Sequence, residues 1–255
     1  MKKIKYSNSS TELIYGINPV RELLIAGRRK VYQLLIVSKE KQRLEEIIKL
    51  ASLRKIQIRW IDGKEMSSLF SSREDQGVAA KAEPYPYYEL EEILKKPDDS
   101  KNSVIIALDQ IQDPRNLGAI ARSAVAFFCD AMVIHKNRCS PVTPVAMKAS
   151  AGMTEHLKIA MVSNLAFALR KVKDEGYTLY GLDANATKSI FETQFGPRAV
   201  FVMGHEGSGL RELTSKLCDE LIRIPISPLC NSLNVSVAAG VVLGEALRQS
   251  GRCRT

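Results

Sequence analysis

The stretch AVFVMGHEGSGLRELTSKLCDELIRIPISPLCNSLNVSVAAGVVLGEAL, residues 199–247, decides the fold. In it an apolar strand (199–203) runs into a glycine-rich turn (204–209), and a second strand (221–225) runs into a polar loop (227–234). A helix with a centre of small residues follows. In open α/β sheets, ligands bind beyond the carboxyl ends of the strands. Two strands that each end in a loop of small and polar residues therefore predict the mouth of a pocket.

The composition is that of an ordinary globular protein. The chain has 255 residues, 45% of them hydrophobic and 25% charged, enough for one large or two modest domains. No run approaches the roughly 18 apolar residues that a membrane span needs, so we expect no membrane partner. The basic N-terminus has no apolar stretch behind it, which predicts a frayed tail rather than a signal peptide.

The cysteines and histidines indicate the compartment and argue against a metal. Five cysteines, an odd number, are scattered without a CxxC pair, a pattern typical of reduced thiols in the cytosol. We therefore expect a cytoplasmic protein. The three histidines form neither an HExxH motif nor a cluster with cysteine, so we predict no metal site.

The net charge of +9 is distributed unevenly along the chain. Residues 1–86 hold 17 Lys and Arg against 10 Asp and Glu, so this third carries +7 and the remainder carries +2. A basic front segment predicts a domain that binds a polyanion, although a basic surface that serves only solubility is the plainer interpretation.

The first third of the chain alternates between helix and strand patterns. Asn18-Pro19 has the form of a helix start, with Asn18 as the N-cap, and Gly27 has the form of a helix end. The predicted helices are 18–27, 39–55 and 64–70, and the predicted strands are 31–37, 56–61 and 77–82. This order predicts a small α/β domain over residues 11–86, followed by a linker over 87–102 that contains one helix over 88–96.

From Ser103 onward the pattern changes. SVIIALD (103–109) is a continuous apolar run that ends in Asp109, as a buried parallel strand does. Asp113-Pro114 predicts the cap of a helix over 115–128. Arg115 and Arg122 lie off the apolar stripe of this helix. That stripe consists of Leu117, Ile120, Ala121, Ala124 and Phe128.

The rest of the chain continues the alternation of strand and helix. The further predicted strands are 131–135, 157–161, 177–182, 200–203 and 221–224, and the further predicted helices are 142–151, 163–175, 209–218 and 235–249. Such alternation predicts an α/β domain over residues 103–250, built on a doubly wound, mostly parallel sheet with helices on both faces.

The glycine-rich turn 204–209 does not fit the common nucleotide motifs. It has the spacing of a phosphate-binding loop, but Leu210-Arg211 stands where Lys-Ser/Thr is needed. The patterns GxGxxG and GxSxG are absent as well, which argues against a nucleotide-dependent oxidoreductase and a serine hydrolase. Taken alone, the turn indicates either a close approach of the backbone to a ligand or an ordinary tight turn.

Three stretches together resemble the three motifs of the SpoU/TrmH family of RNA ribose 2′-O-methyltransferases, in the SPOUT superfamily. They are DPRNLGAIARSA (113–124), MGHEGSG (203–209) and the segment 224–236, which contains NSLNVS. The resemblance covers residues 103–249. YGINPVREL (15–23) and QGVAAKA (76–82) resemble the ribosomal-protein-like α/β RNA-binding module that is fused to such enzymes.

The resemblance implies a particular fold for the second domain. In the family the C-terminal segment of the sheet is threaded into a deep trefoil knot, an arrangement nearly absent from other proteins. Four small residues in the last predicted helix are compatible with the close packing that a knot requires, and equally with an ordinary buried helix. They are Ala238, Ala239, Gly240 and Gly244.

The resemblance also implies the cofactor and the residues that hold it. The cofactor is S-adenosylmethionine, and its adenosine contacts the positions matching Leu182, Gly204, Ile224 and Leu233. Glycine and apolar residues there suit main-chain hydrogen bonds and a nonpolar wall. The matching polar positions that shape the site are Asn116, Glu206, Ser232 and Asn234. Each of these polar residues could instead be a helix cap or a turn residue.

Arg122 matches the catalytic residue of the family. A guanidinium does not lose its proton near neutral pH, so a free arginine is a poor base. In family mechanisms the arginine accepts the proton of the 2′-hydroxyl with help from an RNA phosphate. The alternative is that it stabilises the developing oxyanion and orients the ribose, and the sequence leaves both roles open.

The closest subtype methylates a guanosine in the peptidyl-transferase loop of 23S rRNA, and the chain departs from it at Arg115, where that subtype usually has His. The implied partners are RNA, most of all 23S rRNA rather than DNA, and a second copy bound through the C-terminal domain. One alternative is a tRNA 2′-O-methyltransferase. Another is an inactive RNA-binding or ribosome-assembly protein, against which the presence of Asn116, Arg122, Glu206 and Asn234 argues.

Overall fold

The computed structural model describes residues 11–70, 75–95, 102–205 and 207–251. Its contacts divide the chain into two compact units. The first, here called the front unit, combines the described residues up to Pro86 with Val142–His156. The second, the back unit, combines Tyr87–Pro141 with the described residues from Leu157 onward. Most of the predicted N-terminal tail lies outside the described residues.

The front unit contains a mixed sheet of four strands in the order β1-β4-β2-β3. Strand β4 is antiparallel to β1 and β2, whereas β2 and β3 are parallel. The strands are β1 (Glu12–Tyr15), β2 (Val31–Val37), β3 (Gln57–Ile61) and β4 (Val78–Ala82), and the helices are α1 (Ile17–Ala26), α2 (Glu45–Leu53) and α3 (Gly63–Leu69). The sequence patterns predicted all of these elements except β1, where no element was expected.

The helix boundaries of the front unit correct two predictions. Helix α1 begins after Gly16, so Asn18 is inside the helix and is not its cap. Pro19 is tolerated there because the first-turn N–H that it lacks would have no helical partner. The predicted helix 39–55 is shorter than expected, with a 3-10 turn (Ser38–Glu40) ahead of α2.

The front unit also includes a segment that the sequence analysis assigned to the second domain. Within Val142–His156, helix α6 (Pro144–Ala149) precedes a 3-10 turn that carries Glu155. The buried guanidinium of Arg29 donates to Glu155 at 2.5 Å and to Glu12 at 3.1 Å. Because these partners are far apart in sequence, no local pattern could reveal that the segment belongs here.

The back unit contains a sheet of seven strands, and all of its pairs are parallel. Their order is β7-β6-β5-β10-β8-β11-β9. The strands are β5 (Ser103–Leu108), β6 (Ala131–His135), β7 (Lys158–Val162), β8 (Thr178–Leu182), β9 (Lys188–Ser189), β10 (Arg198–Met203) and β11 (Glu220–Arg223). The prediction of a mostly parallel α/β sheet is confirmed, and the short β9 was missed.

Helices cover both faces of this sheet. Helices α4 (Leu90–Leu94) and α7 (Leu165–Asp174) pack on the face that carries Ile105, Val200 and Val202. Helices α5 (Pro114–Ala126) and α9 (Val235–Ser250) pack against each other, and they contact β6 and β10. The remaining helix is α8 (Glu212–Leu217). Among the described helices, none has the length and apolar character that crossing a bilayer requires.

The predicted linker is partly folded. Leu90 and Leu94 are buried in the core of the back unit, and Tyr88 forms a parallel bridge with Ala160. Residues up to Lys95 therefore belong to the back unit rather than to a free linker, and 96–101 lie outside the described residues. The helix predicted over 88–96 is confirmed in shortened form as α4, but a five-residue helix is too short to show the apolar periodicity that would have assigned it to a core.

Helix α5 confirms the predicted cap, since the Asp113 carboxylate accepts from the Arg115 N–H at 2.8 Å and Pro114 follows. Phe128 corrects the predicted core stripe. The helix ends at Ala126, and Phe128, with a φ of 56°, is 59% exposed. A Cβ added at Gly244 of α9 would lie 3.7 Å from the Phe127 ring, so the small residues there permit close packing of α5 and α9. The trefoil knot stays a prediction.

Candidate active site

The row of seven strands creates a natural binding position at its carboxyl edge. From β5 the chain moves outward through β6 and β7 and then crosses to the other side, where β10 lies beside β5. The order of the strands thus reverses between β5 and β10. Ligands of open α/β sheets bind at such a switch point. The loops that follow β5 and β10 begin with Asp109 and Gly204.

The turn after β10 is held closed by its own backbone. His205 and Gly209 exchange two main-chain hydrogen bonds of 2.9 Å each, and the His205 Nδ1 accepts from the Gly207 N–H at 3.0 Å. A Cβ at Gly204 would lie 2.3 Å from the carbonyl carbon of Gly209 and 2.5 Å from the Leu210 nitrogen. Only glycine fits such a distance, so Gly204 is required by the close approach of two backbone segments.

A buried ion pair anchors this turn to the end of β5. Asp109 is fully buried, and its carboxylate accepts hydrogen bonds from Arg211 at 2.8 and 2.9 Å and from the Thr214 hydroxyl at 2.7 Å. Arg211 directly precedes α8, so the pair fixes the start of that helix. Sequence reasoning noted Asp109 only as a strand end and Arg211 only as a mismatch to the phosphate loop. The signal that could have suggested the pair is an aspartate at the end of an apolar run together with an arginine later in the chain.

A cavity of about 420 Å³, here called the glycine-turn cavity, opens beside this anchor. Its walls come from the ends of β8, β10 and β11 and from the start of α9. The volume lies in the range typical of small-molecule sites. All of the predicted cofactor positions and one predicted polar position line this cavity, namely Leu182, Gly204, Ile224, Leu233 and Ser232.

A smaller cavity of about 200 Å³, the switch-point cavity, lies between β5 and β10. Asn116 lines it, and His205 and Val235 line both this cavity and the glycine-turn cavity, so the two are contiguous. The Asn234 side-chain amide donates to the Asn116 oxygen at 3.1 Å, while the Asn234 oxygen accepts from the Ser236 N–H at 2.9 Å. The structure thus brings Asn116 and Asn234 together, and Asn234 also caps α9.

Two predicted site residues stand apart from this group. Arg122 is exposed on α5, lines neither cavity, and forms no ion pair or hydrogen bond with a residue that the structure describes. Its charge is therefore available to a partner outside the described chain. Glu206 lies outside the described residues. The roles predicted for all of these residues remain predictions.

Comparison with known protein families identifies the chain. The model of the SpoU rRNA methylase family matches residues 103–244, more than half of the chain. The model of the RNA 2′-O ribose methyltransferase substrate-binding domain matches residues 13–88. The chain belongs to the SpoU rRNA methylase family, and the predicted resemblance to the SpoU/TrmH methyltransferases is confirmed at that level.

Individual proteins give the same result. The chain is 37% identical over 241 residues to an uncharacterized tRNA/rRNA methyltransferase of Mycobacterium ulcerans, covering 94% of this chain and 77% of the relative. An AdoMet-bound rRNA methyltransferase from Sinorhizobium meliloti shares the fold with a TM-score of 0.78 at 22% identity, covering 94% of this chain and 87% of that chain. The TrmH/SpoU tRNA modifying enzyme of A. aeolicus has a TM-score of 0.52 at 25% identity and covers 63% and 80%.

Proposed function

We propose that this protein methylates the ribose 2′-hydroxyl of a nucleotide in RNA, with S-adenosylmethionine as the methyl donor. The observation that carries the proposal is the convergence of one predicted set of residues on one cavity. Leu182, Gly204, Ile224 and Leu233 line the glycine-turn cavity, and the Asn116–Asn234 pair lies at the contiguous switch-point cavity. The family match supplies the reaction class.

The glycine-turn cavity fits the adenosine part of the cofactor. Leu182, Ile224 and Leu233 offer apolar surface to the base. Gly204 lines the cavity without a side chain, which suits main-chain hydrogen bonds to the adenosine. When bound, S-adenosylmethionine supplies a methyl group made electrophilic by its sulfonium sulfur. The chain's task is then to orient the ribose and to handle the proton of its 2′-hydroxyl.

Arg122 is the residue we assign to the 2′-oxygen. A guanidinium is a poor general base, so Arg122 acts best by stabilising the negative charge that develops on that oxygen. The hydroxyl proton then passes to a nearby acceptor such as an RNA phosphate. Removing one such donor from an active site lowers turnover by roughly 10²–10³-fold in other enzymes.

The exposed position of Arg122 supports a homodimer through the back unit. Because this arginine lines neither cavity of its own chain, it is available to complete the site of a second copy. Val237 on α9, the helix that packs against α5, is 50% exposed and is available for an apolar contact with a second copy. Light scattering at micromolar concentration is expected to give the mass of two chains, and a single-chain mass would contradict the dimer.

For the substrate we propose a guanosine in the peptidyl-transferase loop of 23S rRNA. The front unit supports an RNA-binding role, since Lys30 lies 5.1 Å from the Tyr32 ring and Lys41 lies 5.9 Å from the Trp60 ring. Tyr32 and Trp60 are exposed, and paired aromatic and basic groups suit unstacked bases. The S. meliloti rRNA enzyme spans nearly the whole of this chain, whereas the A. aeolicus tRNA enzyme spans 63% of it. An rRNA substrate also fits the cytoplasmic location that the sequence predicts.

The experiment is primer extension at low nucleotide concentration on 23S rRNA from cells with and without the gene. A stop in the peptidyl-transferase loop that disappears on deletion is the expected result. An unchanged 23S pattern with a missing ribose methyl in tRNA would favour the tRNA alternative. Calorimetric titration with S-adenosylmethionine distinguishes the rRNA and tRNA methyltransferases from an inactive RNA-binding protein, which need not bind the cofactor.

A further inference from the structure

A third cavity lies along the same edge of the back-unit sheet, beyond the carboxyl ends of β6 and β7. It has a volume of about 560 Å³ and is here called the α7 cleft, because the start of helix α7 forms one of its walls. Gln110 and Gln112 line both this cleft and the switch-point cavity, so the two are contiguous. The glycine-turn cavity, the switch-point cavity and the α7 cleft therefore lie in a row along this edge, each sharing lining residues with the next.

The α7 cleft is lined by hydrogen-bond donors and cations, and no Asp or Glu is among its described lining residues. His135 adds a donor. Its Nδ1 accepts from the Asn137 N–H at 3.1 Å, and burial together with the charges of Arg211 and Arg138 lowers the pKa of the ring. The neutral ring therefore carries its proton on Nε2. Asn164 caps the Phe167 N–H at 3.0 Å, which leaves the first N–H groups of α7 for a ligand.

The two arginines of the cleft differ in their charge balance. Arg211 is neutralised by the buried carboxylate of Asp109 at 2.8 Å. Arg138 is exposed and has no ion pair or hydrogen bond with an acidic residue in the described chain. The cleft therefore carries one uncompensated positive charge, surrounded by amide, imidazole and backbone donors. This arrangement suits an anion with several acceptor oxygens.

We infer that the α7 cleft binds a phosphodiester group of the substrate RNA next to the ribose being methylated, with Arg138 as its ion partner. The inference rests on the proposed function, which assigns the adenosine of the cofactor to the glycine-turn cavity at one end of the row, and it places the ribose at the neighbouring switch-point cavity, where the Asn116–Asn234 pair lies. A strand that passes through that middle cavity has its neighbouring phosphate on the far side, which is where the cleft lies. Phosphate contacts of this kind fix the register of the RNA without reading its sequence.

The test compares Arg138→Gln with Arg170→Gln in the full-length protein. Arg170 is exposed on α7 and does not line the cleft, so its substitution removes the same charge from the same unit. Fluorescence anisotropy gives the dissociation constants for two unmodified probes, a transcript of the peptidyl-transferase loop and a tRNA, over a range of salt. Calorimetry gives the affinity for S-adenosylmethionine.

Arg138→Gln is expected to weaken binding of the preferred RNA roughly tenfold, as loss of a charge-assisted hydrogen bond does. The plot of log binding constant against log salt concentration should become less steep by about 0.7 to 0.9, the contribution of one phosphate contact. Cofactor affinity should not change, and Arg170→Gln should stay within about twofold of the wild type, the change that loss of one remote surface charge produces. Equal weakening by both variants would reduce the effect to general electrostatics and overturn the inference. Loss of cofactor affinity with RNA affinity retained would assign the cleft to the cofactor and overturn it too.

A second arm identifies the phosphate. Probes that carry a single neutral methylphosphonate at each of the linkages flanking the methylated ribose are bound to the wild type and to Arg138→Gln. At one linkage the wild type should lose affinity and the variant should lose none, whereas additive losses at every linkage would overturn the inference. Binding is measured without turnover. If the wild type binds RNA and cofactor but transfers no methyl, the proposed function fails while the result for Arg138 stands.

Discussion

At position 204 the backbone leaves no room for a side chain. Gly204→Val would put a Cβ 2.3 Å from the Gly209 carbonyl carbon, so the turn must open and the wall of the glycine-turn cavity must move. We expect S-adenosylmethionine binding to be lost, as measured by calorimetry, with a lower melting temperature. The matched control is Gly207→Ala on the same turn, where the nearest atom lies at 3.7 Å. If Gly204→Val bound the cofactor as tightly as Gly207→Ala, the turn would have only a structural role.

At Arg122, in contrast to Gly204, the side chain itself is needed. Arg122→Ala should lower methyl transfer roughly 10²–10³-fold, the cost of losing one oxyanion donor, and leave the cofactor dissociation constant unchanged because Arg122 lines no cofactor wall. The rate of methyl transfer is measured with a labelled methyl group, and the cofactor dissociation constant is measured by calorimetry.

Mixing two inactive variants tests whether Arg122 acts on a second copy. Dimers that combine Arg122→Ala with Gly204→Val would contain one intact site if the arginine of one chain serves the cavity of the other. Random exchange should then restore about a quarter of the wild-type activity. A mixture as inactive as its components would indicate that each chain completes its own site.

Among the elements, the connection between β5 and α8 decides the geometry of the glycine turn. Asp109→Asn removes the carboxylate that pairs with Arg211 and Thr214. Breaking a buried pair by removing one partner costs about 3 kcal/mol, which urea unfolding can measure, and the displaced turn should also weaken cofactor binding. The control is Glu212→Gln at the start of α8. Glu212 pairs with Lys216 on the surface, and such pairs contribute well under about 1 kcal/mol. Equal stability of the two variants would contradict the assigned role of Asp109.

For the whole molecule, the sequence predicted what depends on local pattern. The parallel sheet followed from continuous apolar runs such as 103–109, and the start of α5 followed from Asp113-Pro114. The residues of the glycine-turn cavity were found because Gly204, Ile224 and Leu233 belong to motifs that were already matched. These residues were predicted from the resemblance to the family motifs and not from periodicity, because glycine and apolar residues have no chemistry that a pattern can reveal.

What the sequence missed depends on contacts between distant segments. Arg211 has meaning only when Asp109, 102 positions earlier, is known to lie beside it. Val142–His156 has an ordinary helical pattern, and its place in the front unit follows from the buried contact of Glu155 with Arg29. Helix α4 was predicted but placed in a linker, because five residues are too few to show that Leu90 and Leu94 face a core.

The division into units makes a prediction about where the molecule can be cut. A fragment of residues 87–255 keeps Leu90 and Leu94, whereas a fragment of 103–255 loses both from the core of the back unit. Each buried leucine contributes about 2–5 kcal/mol, so urea unfolding should show the shorter fragment to be less stable by at least about 4 kcal/mol. The longer fragment should fold and bind S-adenosylmethionine, and both fragments should bind RNA more weakly than the full chain because the basic front third is missing. Val142–His156 loses its partners in either case, so its amides should exchange faster than in the full chain. Equal stability of the two fragments would show that α4 contributes nothing to the core, contrary to the burial of its leucines.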